Sequence, residues 1–228
     1  MINENIYIIG DVHGCYKTLL ALIDKLPNKD NKICFVGDLI DKGNDSQKVI
    51  EFVKSNNYDC VLGNHEKYMI DTMPLILEDR TNLNHKWVTK YDGDKTLKSY
   101  NDLNILQEHL NWLNTLPLYL EYKHLKTNNR HLVVSHSHIL SSWNYKDYPK
   151  ESIEYKAFEK ECLLSRYKSF DNKEIFNVFG HTPIQKPQIN NYKANIDLGC
   201  FFKSEHEVGK LCALEFPSME IITQENID

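Results

Sequence analysis

The segments GDVHG at residues 10–14, GDLIDKG at 37–43 and GNHE at 63–66 decide the fold of this chain. Each follows a short apolar run typical of a buried strand; the runs are IYII at 6–9, ICFV at 33–36 and CVL at 60–62. A helical pattern follows each segment, and the resulting βαβαβ order predicts a parallel sheet with right-handed crossovers. The polar segments then lie at the carboxyl ends of the strands, where open α/β sheets bind ligands.

The side chains in these turns form a ligand set for metal ions. Their carboxylates, imidazoles and carboxamide offer oxygen and nitrogen atoms that suit Mn²⁺, Fe or Zn²⁺, unlike a thiolate site. A single Gly-Asp or Gly-Asn after a strand is usually only a turn, because Asp and Asn tolerate unusual backbone angles. Three such turns in order, each followed by a helix, indicate a metal-dependent hydrolase of phosphate esters.

The composition restricts the other functions that the chain could have. Its 228 residues predict a single domain over 1–228, and 27 basic against 32 acidic residues give a net charge of −5, so we expect no nucleic-acid partner. No apolar run approaches the roughly 20 residues of a membrane span, and residues 1–5 lack the features of a signal peptide. We therefore expect no membrane partner. No CxxC pair occurs, which favours reduced thiols and a cytoplasmic protein; the cysteines are Cys15, Cys34, Cys60, Cys162, Cys200 and Cys212.

The remaining chain predicts a helical cap and a second sheet. Residues from about 80 to 116 carry amphipathic helical patterns and are expected to cover the first sheet. Short strand patterns follow at 118–122, 131–134, 175–179, 194–196 and 211–216. Their close spacing suggests a second, partly antiparallel sheet, so the expected fold class is an α/β sandwich.

Two strand patterns in this region end in histidine. HLVVSH at 131–136 ends at His136, and IFNVFGHTP at 175–183 contains His181. One such histidine is more often structural than a ligand, but two in a chain with three polar turns favour metal ligands. His138 remains a rival to His136, because SHSH places both imidazoles on one face of an extended segment. The other histidines are predicted to be surface residues; they are His85, His109, His124, His131 and His206.

Taken in order, these motifs resemble those of the calcineurin-like metallophosphoesterases. The similarity is greatest to the phosphoprotein phosphatases, particularly the small bacterial and lambda-phage-type serine/threonine phosphatases. It covers nearly the whole chain, including Trp87 and the segments at 96–100, 116–118 and 195–200. The resemblance implies a β-sandwich of two mixed sheets flanked by α-helices.

The resemblance also implies a site for two divalent metal ions that share one carboxylate, Asp38. The implied ligands are Asp11, His13, Asp38 and His181 for one ion, and Asp38, Asn64 and His136 for the other. His65 matches the family's general acid, and Asp41 matches the carboxylate that orients it. The expected metal is Mn²⁺, with Fe or Zn²⁺ as alternatives.

The chemistry of these residues supports that mechanism. The positive charge of two divalent ions exceeds the negative charge of their carboxylate ligands, so a phosphate dianion can bind to an acidic chain. A hydroxide shared by the two ions can attack phosphorus in line, since metals lower the pKa of water, and no cysteine or serine nucleophile is needed. His65 can then protonate the departing oxygen while Asp41 favours its protonated form.

Two positions differ from the phosphoprotein phosphatases. Lys42 and Leu62 stand where that group usually has arginine, and lysine lacks the bidentate fork of arginine. Arg166 aligns with another phosphate-contacting arginine, so Lys42 and Arg166 are the expected phosphate-binding residues. Leu62 also matches the diadenosine tetraphosphate hydrolases, whereas Asp41 and Glu66 favour the phosphatases.

We therefore expect a phosphomonoesterase, namely a serine/threonine protein phosphatase of broad specificity that acts on phosphoproteins or small phosphate esters. The alternative is a hydrolase of dinucleoside polyphosphates, such as diadenosine tetraphosphate, or of cyclic phosphodiesters. A binding scaffold without activity is less favoured, because every implied ligand position is intact.

Overall fold

The N-terminal part of the chain alternates strands and helices as predicted. The computed structural model describes residues 5–166, 170–203 and 207–228. Its first elements are β1 (Ile6–Ile9), α1 (Tyr16–Lys25), β2 (Lys32–Phe35), α2 (Ser46–Ser55), β3 (Asp59–Cys60) and α3 (Asn64–Glu78). Strands β1, β2 and β3 pair in parallel, so the three polar turns lie at one edge of the sheet.

The predicted cap is helical. It consists of a 3₁₀ turn (Arg80–Asn84), α4 (Lys86–Lys90), α5 (Gly93–Ser99) and α6 (Leu103–Leu113). The side chain of Asp102 accepts a hydrogen bond from the backbone N–H of Asn104 and so caps α6. Leu106, Leu110 and Leu113 recur at helical spacing and are buried in the same core as the helical face of the first sheet.

The C-terminal part supplies the second sheet. Its elements are β4 (Tyr119–Thr127), β5 (Arg130–Ser135), a 3₁₀ turn (Trp143–Asp147), α7 (Ile153–Leu164), β6 (Phe176–Phe179), β7 (Gln188–Ile189), β8 (Lys193–Asn195), β9 (Lys210–Phe216) and β10 (Glu220–Glu225). The first sheet has the order β10-β9-β1-β2-β3, and the second has the order β4-β5-β6-β8-β7. Both sheets contain parallel and antiparallel pairs, which confirms the predicted sandwich of two mixed sheets flanked by helices.

Strand β9 belongs to the first sheet, and its predicted place in the second sheet was wrong. It pairs antiparallel with β1. Leu211 and Ala213 face the core between the first sheet and its helices, whereas Cys212 and Leu214 face the core between the two sheets. A strand that is apolar on both faces lies inside a sheet covered on both sides. Its sequence pattern does not reveal which neighbour it pairs with.

Two further findings concern the histidines and the membrane. His109 is buried, not at the surface as predicted, because its ring lies between the hydroxyl of Tyr100 at 2.8 Å and the carboxylate of Glu51 at 2.9 Å. His206 lies outside the described residues. Within the described part of the chain, no helix is long and apolar enough to cross a bilayer.

Candidate active site

The polar turns of both sheets meet in one buried cluster around Asp38. One oxygen of its carboxylate, Oδ2, lies 3.6 Å from Nε2 of His13, 3.4 Å from Nε2 of His136 and 3.9 Å from Nε2 of His65. Asp38 thereby belongs to two groups of converging ligand atoms, one with His13 and His65 and one with His136 and His181. The position of Asp38 between the two groups suits a carboxylate that two cations share.

The second group differs from the allocation that the resemblance implied. Nε2 of His136 lies 2.9 Å from Oδ1 of Asn64 and 3.0 Å from Nδ1 of His181. His181 therefore lies with Asn64 and His136, not with His13. Asp11 is adjacent, since its carboxylate accepts a hydrogen bond from the backbone N–H of His181 at 3.0 Å.

The surroundings of the histidines keep them in the neutral form that binds metals. The Nδ1–H groups of His13 and His136 donate to the backbone carbonyls of Ile40 at 2.8 Å and Val36 at 2.9 Å, which leaves both Nε2 lone pairs facing Asp38. Burial lowers the pKa of His13 to about 3 and also lowers the pKa of His136. Neutral imidazoles with fixed tautomers are the form of histidine that metals require.

The buried charges of the site also fit divalent cations. Burial, together with the charges of Asp197 and Asp38, raises the pKa of Asp11 well above its usual value. Burial raises the pKa of Asp197 to about 7. Nε2 of His181 is buried and has no hydrogen-bond partner among the described residues. Bound cations would compensate the crowded carboxylates.

The turns carry their side chains on an unusual backbone. Asp38 has φ 49° and His181 has φ 70°, values in the left-handed region that residues other than glycine rarely adopt. Two glycines let the turns approach each other. A Cβ at Gly63 would lie 2.3 Å from the backbone nitrogen of Asp38, and one at Gly180 would lie 1.8 Å from Oδ1 of Asp11. The left-handed backbone angles of Asp38 and His181 are strained, and such strain is typical of functional sites.

His65 and Asp41 form a hydrogen-bonded pair beside the cluster. Nδ1 of His65 lies 2.6 Å from Oδ2 of Asp41, which also accepts from the indole of Trp87 at 2.9 Å. The hydroxyl of Thr96 donates to the other oxygen of Asp41 at 2.5 Å. Burial opposes the charged form of His65, but the charges of Asp38 and Asp41 raise its pKa to about 9. A protonated His65 with its Nε2–H directed toward Asp38 can act as an acid.

Glu66 supports the backbone of the site and does not line the cavity. Its Oε2 accepts from the backbone N–H groups of Asp38 at 2.8 Å and Gly63 at 3.0 Å, and its Oε1 accepts from those of Leu39 at 2.8 Å and Ile40 at 3.3 Å. The carboxylate thus shapes the turn that presents Asp38. Because it touches only protein, its identity carries no information on the substrate.

A cavity of about 370 Å³ opens over the cluster, and both residues expected to bind phosphate line it. Nζ of Lys42 lies 2.7 Å from Oδ2 of Asp92, so its charge is already paired. Arg166 is exposed and offers the second positive charge. The side chain of Leu62, which stands where the phosphoprotein phosphatases usually have arginine, is buried and does not line the cavity.

Several cavity residues were not anticipated from the sequence. Tyr68, Tyr91, Asp197 and Phe201 line the cavity. Asp197 lies in the segment after GHTP that contributed to the resemblance, and this could have pointed to it, whereas the three aromatic residues lie outside every quoted motif. His138 lies outside both ligand groups and stacks on the ring of Phe179 at 4.8 Å.

Comparison with known proteins identifies the family. The sequence model of the family described as Calcineurin-like phosphoesterase matches residues 4–208, and the chain belongs to this family. The chain is therefore a metallophosphoesterase, a class whose members use divalent metal ions, and the His and Asp groups described above are candidate ligands.

Sequence relatives correct the expected substrate. Two are named bis(5'-nucleosyl)-tetraphosphatase PrpE [asymmetrical]: one from Oceanobacillus iheyensis is 27% identical over 95% of this chain and 90% of its own length, and one from Halalkalibacterium halodurans is 29% identical over 95% and 92%. A bis(5'-nucleosyl)-tetraphosphatase, symmetrical, from Coxiella burnetii is 30% identical over 80% of this chain and 56% of its own length. The expectation of a serine/threonine protein phosphatase was wrong, and the alternative of a dinucleoside polyphosphate hydrolase is favoured.

Solved structures share the fold. The crystal structure of a candidate diadenosine tetraphosphatase has a TM-score of 0.64 at 20% identity and covers 97% of this chain and 93% of its own. A serine/threonine phosphatase from Saccharomyces cerevisiae has a TM-score of 0.63 at 15% identity, covering 98% and 80%. Similarity to both structures confirms the metallophosphoesterase architecture and does not separate the two activities.

Proposed function

We propose that the protein hydrolyses dinucleoside tetraphosphates, such as diadenosine tetraphosphate, with the help of two divalent metal ions. The observation that carries this proposal is the similarity of the chain, over nearly its whole length, to relatives named for that activity. Those relatives are described as asymmetrical, so we expect unequal products, a nucleoside monophosphate and a nucleoside triphosphate.

Six side chains would hold the two ions. Asp38 would contact both; Asp11 and His13 would complete one site, and Asn64, His136 and His181 the other. When bound, the ions would neutralise phosphate charge and make a water molecule nucleophilic at neutral pH. Mn²⁺ is the proposed metal, since carboxylate, carboxamide and imidazole ligands suit it.

His65 would protonate the leaving oxygen. Its Nδ1–H donates to Asp41, so the proton on Nε2 is the one available to the cavity. Asp41 in turn is held by Trp87 and Thr96, which prevents the carboxylate from rotating away. The leaving group of a dinucleoside tetraphosphate is itself a phosphate, which needs less protonation than an alkoxide. The acid should therefore contribute less to this reaction than to the hydrolysis of alkyl esters.

Arg166 would bind the polyphosphate chain. A guanidinium can donate two parallel hydrogen bonds to phosphate oxygens, and Arg166 lines the cavity at an exposed position that an extended chain can reach. Lys42 would contribute mainly through its charge, because its ammonium group is already paired with Asp92.

The decisive experiment compares substrates with purified protein and Mn²⁺. We expect kcat/KM for diadenosine tetraphosphate to exceed that for the best phosphopeptide or aryl phosphate by at least about tenfold, or ~1.4 kcal/mol in transition-state free energy. Chromatography should find AMP and ATP in equal amounts. The Asp38→Asn protein, purified in parallel, controls for contaminating phosphatases. A preference for monoesters would refute the proposed substrate, and ADP as the main product would refute asymmetrical cleavage.

A further inference from the structure

Two stacked tyrosines line the cavity beside His65. Tyr68 lies on α3, and Tyr91 follows the last residue of α4. Their rings are nearly parallel, with centroids 5.0 Å apart and an interplanar angle of 15°. Each ring centroid lies 6.1 Å from that of His65, and both side chains are only half-buried. The chemistry assigned above to the site uses neither ring.

The position of this tyrosine pair relates it to one half of the substrate. The proposed acid His65 protonates the leaving oxygen, so the leaving group must lie on the side of the cavity where His65 lies. Phe201 instead contacts His13 at a centroid distance of 5.0 Å and has the ammonium of Lys42 5.7 Å from its ring. The tyrosine pair is therefore the aromatic surface beside the proposed acid.

We propose that the Tyr68–Tyr91 pair binds the base of the leaving nucleotide by stacking, an inference that rests on the proposed function. A nucleobase is flat and can extend this stack on the outer face of one tyrosine, and the ring centroids of both tyrosines lie 6.1 Å from that of His65. An aromatic side chain can stack on any base, because each base has a π face. The pair thus favours nucleotides over phosphate esters without bases and does not select one base.

The two tyrosines are held in place before substrate binds. The ring of Tyr91 packs on that of Tyr68, and Tyr68 lies one turn after Asn64 on α3. Because Asn64 is a proposed metal ligand, substitution of Tyr68 could disturb the metal. Tyr91 contacts His65 and Tyr68, and it is the preferred position for a substitution that tests the pair.

The test combines substitution of Tyr91 with removal of the bases from the substrate. KM is measured for diadenosine tetraphosphate and for diribosyl tetraphosphate, which has the same phosphates and sugars. In the wild-type protein, removal of both bases should raise KM about 5- to 150-fold, the range expected for one stacked base, because the pair binds only the base of the leaving nucleotide. In Tyr91→Leu the two substrates should have KM values within about twofold of each other, and Tyr91→Phe should restore the wild-type ratio.

Three controls make the outcome decisive. Tyr148→Leu removes an exposed tyrosine that contacts Tyr145 far from the cavity lining, and it should keep the wild-type ratio. Tyr91→Gln replaces Tyr91→Leu if the latter does not fold, since a half-buried site accepts a polar side chain. The inference is overturned if Tyr91→Leu, or Tyr91→Gln in its place, keeps the wild-type ratio, or if Phe201→Leu abolishes the ratio and Tyr91→Leu does not. A wild-type protein inactive on both tetraphosphates would instead refute the proposed function itself.

Discussion

Replacement of Glu66 by glutamine tests the claim that its carboxylate holds the backbone of the turn that presents Asp38. The wild-type carboxylate accepts four backbone N–H groups, two on each oxygen. Burial raises the pKa of Glu66, but four converging donors favour the ionised form. Glutamine has nearly the same shape and offers only one acceptor oxygen, so its amide nitrogen must face two N–H donors.

The expected loss of stability follows from the hydrogen-bond distances of Glu66. The oxygen of glutamine should replace Oε2, whose contacts to Asp38 and Gly63 are shorter on average than those of Oε1, and leave Leu39 and Ile40 unpaired. An unpaired buried donor costs about 1–3 kcal/mol, and the contact to Ile40 is already long at 3.3 Å. We therefore expect Glu66→Gln to lower the free energy of unfolding by about 2–4 kcal/mol. For a chain of this size that lowers Tm by roughly 4–16 °C.

The assay is urea unfolding followed by circular dichroism, in EDTA so that metal binding does not contribute. Glu108→Gln is the matched control, because Glu108 is exposed and pairs only with Lys54 across the surface. A Glu66→Gln protein as stable as this control would refute the reasoning. The substitution should also weaken Mn²⁺ binding, measured by calorimetry, since the same turn carries Asp38.

Four further predictions concern the metals and the acid. Asp38→Asn should lose most bound metal and activity, because a neutral amide is a poor shared ligand; two metals by elemental analysis with near wild-type turnover would contradict this. Likewise, EDTA should abolish activity and Mn²⁺ restore it. His65→Asn should slow an alkyl phosphate about 10²–10⁴-fold and an activated aryl phosphate far less; equal losses accompanied by metal loss would mean that His65 is a ligand. His136→Ala should lose metal and His138→Ala should keep it, and the reverse result would exchange the two assignments.

The substrate class was misjudged because of two residues that lie behind the walls of the cavity. Asp41 and Glu66 favoured a protein phosphatase by resemblance, yet Asp41 is buried behind His65 and Glu66 binds backbone. Neither lines the cavity. Residues of this kind position the backbone and side chains of a site. Enzymes that act on different esters can share them. The choice between esters depends on the cavity walls.

The sequence by itself determined the site's chemistry. Short strands followed by Gly, Asp, His and Asn residues are local patterns, and parallel pairing of successive strands forces their turns to one edge. The turns GDVHG, GDLIDKG and GNHE could therefore be placed together without coordinates. The two strand-end histidines were also candidates, because each ends an apolar run.

Only the tertiary structure decided how distant segments combine. It placed β9 beside β1, grouped His181 with His136, and brought Tyr91 onto Tyr68 next to His65. The physical reason is that side-chain periodicity states which face of an element is buried and not what covers it. Contacts between residues far apart in the chain depend on the packing of all the elements between them, and in this protein such contacts form the cavity walls.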